Sequence, residues 1–374
     1  MKNKINVRII IPILLLSIIS IITIYSAATY TSASLGNLAL KQAIWYIVGI
    51  ILVILILRVK NDYIFEHTWT LYIIGNVVLA GLLIFGTPIN NSKCWIVIPG
   101  IGSVQPSEFM KVILMLVLAT MIHNFRSDYK NPNALEELVF LIKSFLVVLI
   151  PSILTFLEPD TGAVFMYLII YISMVFASGI RLRWFIGAGL LAALLVGGIL
   201  WLYFYQENIF ISIFGSSIYY RLERIFDWKS GSGLQLENAL AAIGSAGLFG
   251  HGFNNTPVYF PESSTDFIFA VYASNFGFVG VLILLAIIIY LDISIIRLAR
   301  KKMTDTNHYI LAGIIGILLF QQIQNIGMTV GLLPITGITL PFVSYGGSSL
   351  LSYMLIVGLL LNISNEKERT YRYK

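Results

Sequence analysis

Four short stretches of the chain carry side chains suited to acid–base or ionic chemistry, and each lies against a long apolar run. In Pro261-Glu262-Ser-Ser-Thr-Asp266-Phe-Ile-Phe-Ala270, Asp266 is followed at once by residues apolar enough for lipid. A carboxylate at such a boundary is partly desolvated, which raises its proton affinity and tunes it as a general base. The same spacing lets Thr265 or Asp266 serve simply as a helix N-cap, with Asp favoured by the helix dipole. In Gln105-Pro-Ser-Glu108-Phe-Met-Lys111, Pro106 fits a helix start, and Glu108 and Lys111 are three apart, on one helical face. Charges inside a span cost about 2.5–3.5 kcal/mol each on insertion scales. The two residues therefore read either as an ion pair that neutralises itself or as the polar wall of a substrate cavity. Glu158-Pro-Asp160-Thr-Gly162 reads as a turn whose Asp caps the next helix, or as carboxylates lining a site or holding a divalent cation. The stretch 334–349, Pro-Ile-Thr-Gly-Ile-Thr-Leu-Pro-Phe-Val-Ser344-Tyr345-Gly-Gly-Ser-Ser, has two prolines and a Gly-Gly pair. It is either a flexible outer loop or a shaped re-entrant segment that presents Ser344 and Tyr345 to a cavity. Irregular backbone is tolerated at membrane depth only where it lines a cavity or is buried in protein. Arg221, Arg224 and Lys229 are either ordinary solvated charges or a site for an anion such as a diphosphate.

The elements that must position these residues are membrane helices. Of the 374 residues 58% are hydrophobic and 11% charged, whereas a soluble domain carries about 25% charged residues. Such a chain must face lipid, and its 30 glycines suit close helix packing there. A single cysteine, Cys94, excludes an intramolecular disulfide, and the four histidines have no metal-site spacing. The metal question is otherwise open. The net charge of +6 is spread over short loops between apolar runs, a positive-inside pattern rather than a nucleic-acid patch.

About 20 apolar residues cross a bilayer, and the runs place ten spans at 9–30, 42–58, 69–86, 105–123, 139–157, 162–180, 184–205, 266–296, 308–332 and 347–363. The first is taken as an uncleaved span rather than a signal peptide. The eighth is too long for one crossing, so its first turn is expected outside the hydrocarbon core. With ten spans, 17 of the 24 basic residues fall on the side of both termini, which places the termini in the cytoplasm. The expected architecture is an all-α integral membrane protein, one polytopic domain over 1–374, with a long extracellular loop at about 206–265. Part of that loop, around 240–249, is expected to re-enter the membrane or pack on the bundle. With no soluble domain and no nucleotide-binding glycine pattern, an ATP-driven pump is disfavoured.

Taken together the motifs resemble the SEDS family, the group of RodA, FtsW and SpoVE. The resemblance rests on Trp95 with Gly100-Ile-Gly-Ser-Val-Gln105-Pro-Ser-Glu-Phe-Met-Lys111, on Glu158-Pro-Asp-Thr-Gly162, and on Ala242-Ile-Gly-Ser-Ala-Gly-Leu-Phe-Gly250. It continues with Pro261-Glu262, Thr265-Asp-Phe-Ile-Phe-Ala270 and the whole of 331–349, in order and across essentially the full chain. It implies a peptidoglycan glycosyltransferase that polymerises lipid II into glycan strands at the outer face of the bacterial cytoplasmic membrane. It further implies a class B penicillin-binding protein as partner and a divalent cation, Mg or Mn. By resemblance Asp266 is the essential carboxylate, Glu108 and Lys111 the buried polar pair, and Asp160 a second outer carboxylate. The sequence departs from the family pattern at Ser264, where a His is usual, and at Glu237-Asn238, in place of Gln-Ser. It departs also at Asn275, in place of Glu, and at Cys94, in place of Arg. The short termini resemble RodA more than FtsW.

The expected reaction is attack by an acceptor sugar hydroxyl on the anomeric carbon of the lipid-linked donor, with inversion. Asp266 acts as base, the other outer carboxylates and Glu262 line the site, and Arg221 and Arg224 or a cation screen the leaving diphosphate. Two rival readings are a flippase or transporter of lipid-linked precursor, which would place its site near the bilayer midplane, and a non-catalytic scaffold for a penicillin-binding protein.

Overall fold

The computed structural model describes residues 6–29, 38–59, 61–86, 93–98, 102–216, 218–220, 222, 234–300 and 305–372. Arg221, Arg224 and Lys229 lie outside these residues. The helices are α1 (Val7–Thr29), α2 (Leu38–Arg58), α3 (Asn61–Glu66), α4 (Thr68–Phe85), α5 (Pro106–Asp128), α6 (Ala134–Leu157), α7 (Thr161–Ala177) and α8 (Leu182–Tyr205). After them come α9 (Glu207–Phe214), α10 (Leu234–Ser245), α11 (Ile268–Ala299), α12 (Asp305–Thr329) and α13 (Gly347–Arg372). Between α4 and α5, β1 (Ile96–Ile98) and β2 (Gly102–Val104) pair antiparallel, with Ile96 opposite Val104. Nine of the described helices are long and apolar enough to cross a membrane, and α7 is a tenth apolar helix of 17 residues. At 1.5 Å per residue α7 reaches about 25 Å, the short limit of a crossing.

Three helices form the centre. In α5, α12 and α13 most of the spanning residues are buried, and α13 packs along α2, α12 along α7, and α5 against α4 and α7. At the periphery α8 has no buried residue. It is fastened at its base, where Trp184 Nε1 donates to Glu137 Oε2 (2.8 Å) and Arg181 Nη2 to the Pro132 carbonyl (2.6 Å). Glu137 itself sits in the first turn of α6, whose start is fixed by a capping box between Asn133 and Glu136.

Two expectations from the sequence change in detail. The long span beginning near 266 is one helix of 32 residues broken at Gly277, where φ is 63° and ψ −163°. At the break the loop after α10 pairs with the open backbone. Phe278 N–H donates to the Gly247 carbonyl, Val279 N–H to Leu248, His251 N–H to Ser274 and Gly252 N–H to Asn275, at 2.9–3.1 Å. A Cβ on Gly277 would lie 2.3 Å from Gly250 N, so the close approach and the left-handed φ both demand glycine. The stretch 206–265 is not plain loop either. It contains α9 and α10, and α10 packs on α11 and α12, as the expectation of packing on the bundle had it.

Candidate active site

Around the starts of α5, α7, α11 and α13 the chain encloses a cavity of about 520 Å³. Its wall includes Glu108 and Gln105 from the start of α5, Asp160 ahead of α7, and Glu262, Thr265 and Asp266 ahead of α11. The segment 336–339 and Tyr345 to Ser349 complete it, with Lys41, Trp45 and Trp95 on the α2 side. Stretches separated by up to about 300 residues in sequence thus meet around one space, and all but the α2 stretch carry one of the motifs.

Asp266 does not cap its helix. The N-cap is Phe267, without a side-chain cap bond. The Asp266 carboxylate is half-buried, and among the described residues no side chain donates to it. Burial, with the charge of Glu262 adding to it, pushes its pKa up to about 7. This is the value a general base needs at neutral pH. Everything around the carboxylate is instead used to hold its backbone. Asn325 Nδ2 donates to the Asp266 carbonyl (2.8 Å) and to the Ile338 carbonyl (2.7 Å). Ser344 Oγ donates to the Thr265 carbonyl (2.7 Å), and Tyr345 N–H to the Ser264 carbonyl (2.9 Å). Gly337, with φ of 72°, comes so near that a Cβ there would lie 3.4 Å from Asp266 Oδ2. Glu262 adopts a left-handed φ of 54°, unusual for a residue with a side chain. It accepts a hydrogen bond from Thr265 Oγ1 at 2.7 Å.

Asp160 both caps and lines. Its Oδ1 accepts from Ala163 N–H (3.1 Å) at the start of α7. Its Oδ2 accepts from Gln105 Nε2 (2.6 Å) and Ser107 Oγ (2.9 Å). Burial still raises its proton affinity, against the effect of those donors. Glu158 lies fully buried behind it, and neither carboxyl oxygen has a hydrogen-bond partner. Burial and the charge of Asp160 push it up to about 8, so it is held neutral rather than used as an anion.

Glu108 and Lys111 likewise satisfy both readings. Lys111 is fully buried, donates to Glu108, and sits over the Tyr353 ring at 4.4 Å from its centroid. Glu108 also accepts from Ser352 Oγ (3.2 Å) and faces the cavity, whereas Lys111 does not. Ser344 is likewise buried outside the cavity wall. Its hydroxyl accepts from Leu340 N–H (2.8 Å) and donates to Thr265, so it is a positioning residue for the Asp266 segment.

The 334–346 segment is irregular and buried, not a flexible outer loop. Side chains from distant helices donate to its carbonyls: Ser20 Oγ to Val343 (2.8 Å), Gln42 Nε2 to Ser344 (3.2 Å), Tyr46 to Phe342 and Gln324 Nε2 to Pro334 (2.9 Å). Each donor replaces a water that the membrane interior does not supply. Sequence reading missed Asn325, Gln42 and Ser20 in this role. Polar residues within apolar runs were the available signal. It also missed Lys41 and Trp45, which stand at the start of α2 with nothing in their neighbours to mark them.

The departures from the family pattern are structurally occupied. Asn275 is fully buried, donates to Ser26 Oγ (2.6 Å) and accepts from Thr256 Oγ1 (3.1 Å), tying α1 to the break in α11. Asn238 donates to the Tyr259 carbonyl (2.8 Å) and Gln235 to Pro261 (3.1 Å), so α10 steadies the approach to Asp266. Cys94 is buried, and its thiol is pushed up to about 12 by burial, with Asp160 and Glu158 adding to it. It is therefore inert.

Comparison with known proteins gives a consistent result. The FtsW/RodA/SpoVE family of cell cycle proteins matches the chain over residues 7–369. The protein named probable peptidoglycan glycosyltransferase FtsW of Enterococcus hirae is 31% identical, over 98% of this chain and 94% of its own length. Stage V sporulation protein E of Bacillus subtilis is 33% identical, over 97% of this chain and 98% of its own. Among solved structures, the crystal structure of the rod shape determining protein RodA of Thermus thermophilus superposes with a TM-score of 0.69. It is 26% identical, with 97% of each chain covered. A chain from a structure of a peptidoglycan synthase complex, described as coordinating polymerization and crosslinking, superposes at 0.78 with 25% identity. That match covers 97% of this chain and 98% of the other.

Proposed function

The chain belongs to the FtsW/RodA/SpoVE family, and from that premise we propose how its cavity works as a peptidoglycan glycosyltransferase. The protein is a multi-pass enzyme of the bacterial cytoplasmic membrane, similar along its length to FtsW and SpoVE proteins. Its substrate is lipid II and its product the growing glycan strand. An acceptor hydroxyl attacks the anomeric carbon of the lipid-linked donor in a single inverting displacement. Asp266 takes the hydroxyl proton as the new bond forms. The observation that carries this assignment is a carboxylate facing a 520 Å³ cavity, unused by any cap or side-chain donor, and poised near neutrality. Asp160, Glu262 and Tyr345 shape the acceptor side, and Glu108, neutralised by Lys111, closes the floor.

A divalent cation, Mg or Mn, fits this donor set. Among the described residues no three potential ligands cluster to hold a metal by themselves. Magnesium is usually held by one or two carboxylates together with substrate phosphates, and Asp266 and Glu262 line the same cavity, close enough for the charge of Glu262 to raise Asp266. These two would hold it, and it would screen the charge of the diphosphate. A class B penicillin-binding protein is the partner that crosslinks the strands, and both termini lie on the cytoplasmic side. Arg221 and Arg224, outside the described residues, remain candidates for contact with the diphosphate.

The cavity lies where α2, α5, α7 and α11 begin, at helix ends rather than mid-helix, which supports chemistry at one face, the outer one in this reading, over transport through the midplane. The test is glycan synthesis from purified lipid II in detergent with a divalent cation and a class B partner. Asp266→Ala should lower the rate by about 10²–10⁴-fold, the usual worth of a general base, with the thermal midpoint unchanged. A folded Asp266→Ala protein that still polymerises removes the base assignment. A wild type that never polymerises, with its partner present, returns the scaffold reading.

A further inference from the structure

Four carboxylates, Glu108, Asp160, Glu262 and Asp266, stand in the cavity wall. Asp160, Glu262 and Asp266 face the space from α7 and α11, while Glu108 is neutralised from behind by Lys111. In the same wall, Lys41 is the single basic side chain among the described residues. It stands on the first turn of α2, where the helix dipole is positive, and its side chain is exposed. Beside it are two indoles, Trp45 from α2 and Trp95 from the residue ahead of β1. Trp45 is wedged rather than loose. A Cβ on Gly347 would lie 2.6 Å from Trp45 Cε2, and one on Gly102 3.9 Å from Trp45 Cζ2. The Gly346-Gly347 pair thus makes room for a fixed aromatic face, which loses little entropy when something stacks on it.

We propose that Lys41, Trp45 and Trp95 form the donor subsite, with Lys41 binding the diphosphate and the indoles holding the adjoining sugar. The inference rests on the glycosyltransferase reading and gives the cavity a direction. A diphosphate is drawn to Lys41, the one basic side chain in the wall among the described residues, and a cation held by Asp266 and Glu262 would screen it from the carboxylates. The anomeric carbon then lies between the α2 wall and Asp266, with the acceptor hydroxyl on the far side. As the acceptor oxygen bonds to the anomeric carbon, its proton passes to Asp266. The anomeric C–O bond to the diphosphate breaks, and its electron pair leaves with the diphosphate, where Lys41 meets the added charge. Lys41 therefore contributes to both binding and turnover.

The experiment compares Lys41→Ala, Lys41→Arg and Trp45→Ala with wild type in the polymerisation assay. Binding of undecaprenyl diphosphate is followed separately by tryptophan quenching, which needs no turnover. Lys41→Ala should lower kcat/KM and weaken undecaprenyl diphosphate binding, each by about tenfold or more, the worth of one charge-assisted contact. Lys41→Arg should recover most of both. Trp45→Ala should raise KM more than it lowers kcat. Thermal midpoints should hold for the exposed Lys41 variants. Binding within twofold of wild type in Lys41→Ala overturns the subsite, whatever the wild type polymerises. A wild type that binds the diphosphate through Lys41 yet makes no glycan supports the subsite and removes the polymerase reading instead.

Discussion

None of the residues of α8 is buried, whereas 78% of the spanning part of α13 is. Both helices are long enough to cross a bilayer, and α8 is the more apolar of the two. Unlike α8, the central helices carry buried polar residues: Glu108 and Lys111 on α5, Gln321 and Asn325 on α12, Ser349 and Ser352 on α13. Lipid gives apolar side chains no reason to leave its company, so they do not draw helices together as they do in water. Polar groups without water must find one another, and the helices bearing them are gathered into the centre. In this molecule burial follows polarity, and the active site lies where the polar groups converge.

The sharpest way to break that contrast is to remove one member of the buried ion pair. Glu108→Gln leaves the Lys111 ammonium fully buried without its partner, and should destabilise the protein by about 3–5 kcal/mol. The paired change Glu108→Gln with Lys111→Met should recover much of it, measured as thermal midpoints in one detergent. Next in size is Gly277→Ala, which sets a Cβ 2.3 Å from the Gly250 backbone at a left-handed φ. A loss of about 3 kcal/mol is expected from the clash and strain together. The polar centre also predicts a pH profile. Asp266 must be ionised to act as base, and its proton affinity is raised to about 7. Activity should therefore fall about tenfold per unit below a midpoint near that pH, and a cation held by Asp266 and Glu262 would move the midpoint lower. Glu262→Gln removes a negative neighbour, so the acid limb should move to lower pH. An acid limb that stays put removes Glu262 as a cause of the shift. The smallest effects belong to α8. Around Gly187, Gly189, Gly197 and Gly198 a Cβ would meet nothing within 4 Å. Alanine at any one of them should be neutral or stabilise by up to about 1 kcal/mol, since Ala is the better helix former. A clear loss of stability there would mean that α8 is packed against something after all.

Much of this was legible in the sequence, and what was legible had a periodic or chemical mark. The ten apolar runs match the nine long helices and α7, because length and apolarity alone define a span. The motifs around Glu108, Asp160 and Asp266 stood out because charges beside lipid need a reason. The break at Gly277 was not legible, since glycine is frequent throughout and nothing local shows which one another backbone will approach. Lys41 read as one more basic residue at a span end. Only the fold brings the start of α2 into one cavity wall with Asp160, Glu262 and Asp266. The curated relatives carry FtsW and SpoVE names while a solved one is a RodA, so short termini do not choose among these roles.

The side chains that hold the 334–346 segment also impose an order on the chain's own birth. Ser20 and Gln42 lie in the first two helices, and the carbonyls they serve come 323 and 302 residues later. As chains are made from the N-terminus, α1 and α2 enter the bilayer long before those carbonyls exist. Their hydroxyl and amide must wait, served by each other (Gln42 Nε2 to Ser20 Oγ, 3.3 Å) or by passing water. The segment that aims Asp266 closes only once α12 has been synthesised and α13 is arriving. A ribosome stalled before residue 334 leaves a nearly complete bundle with no working site, so the cell meets no half-made polymerase acting on its wall.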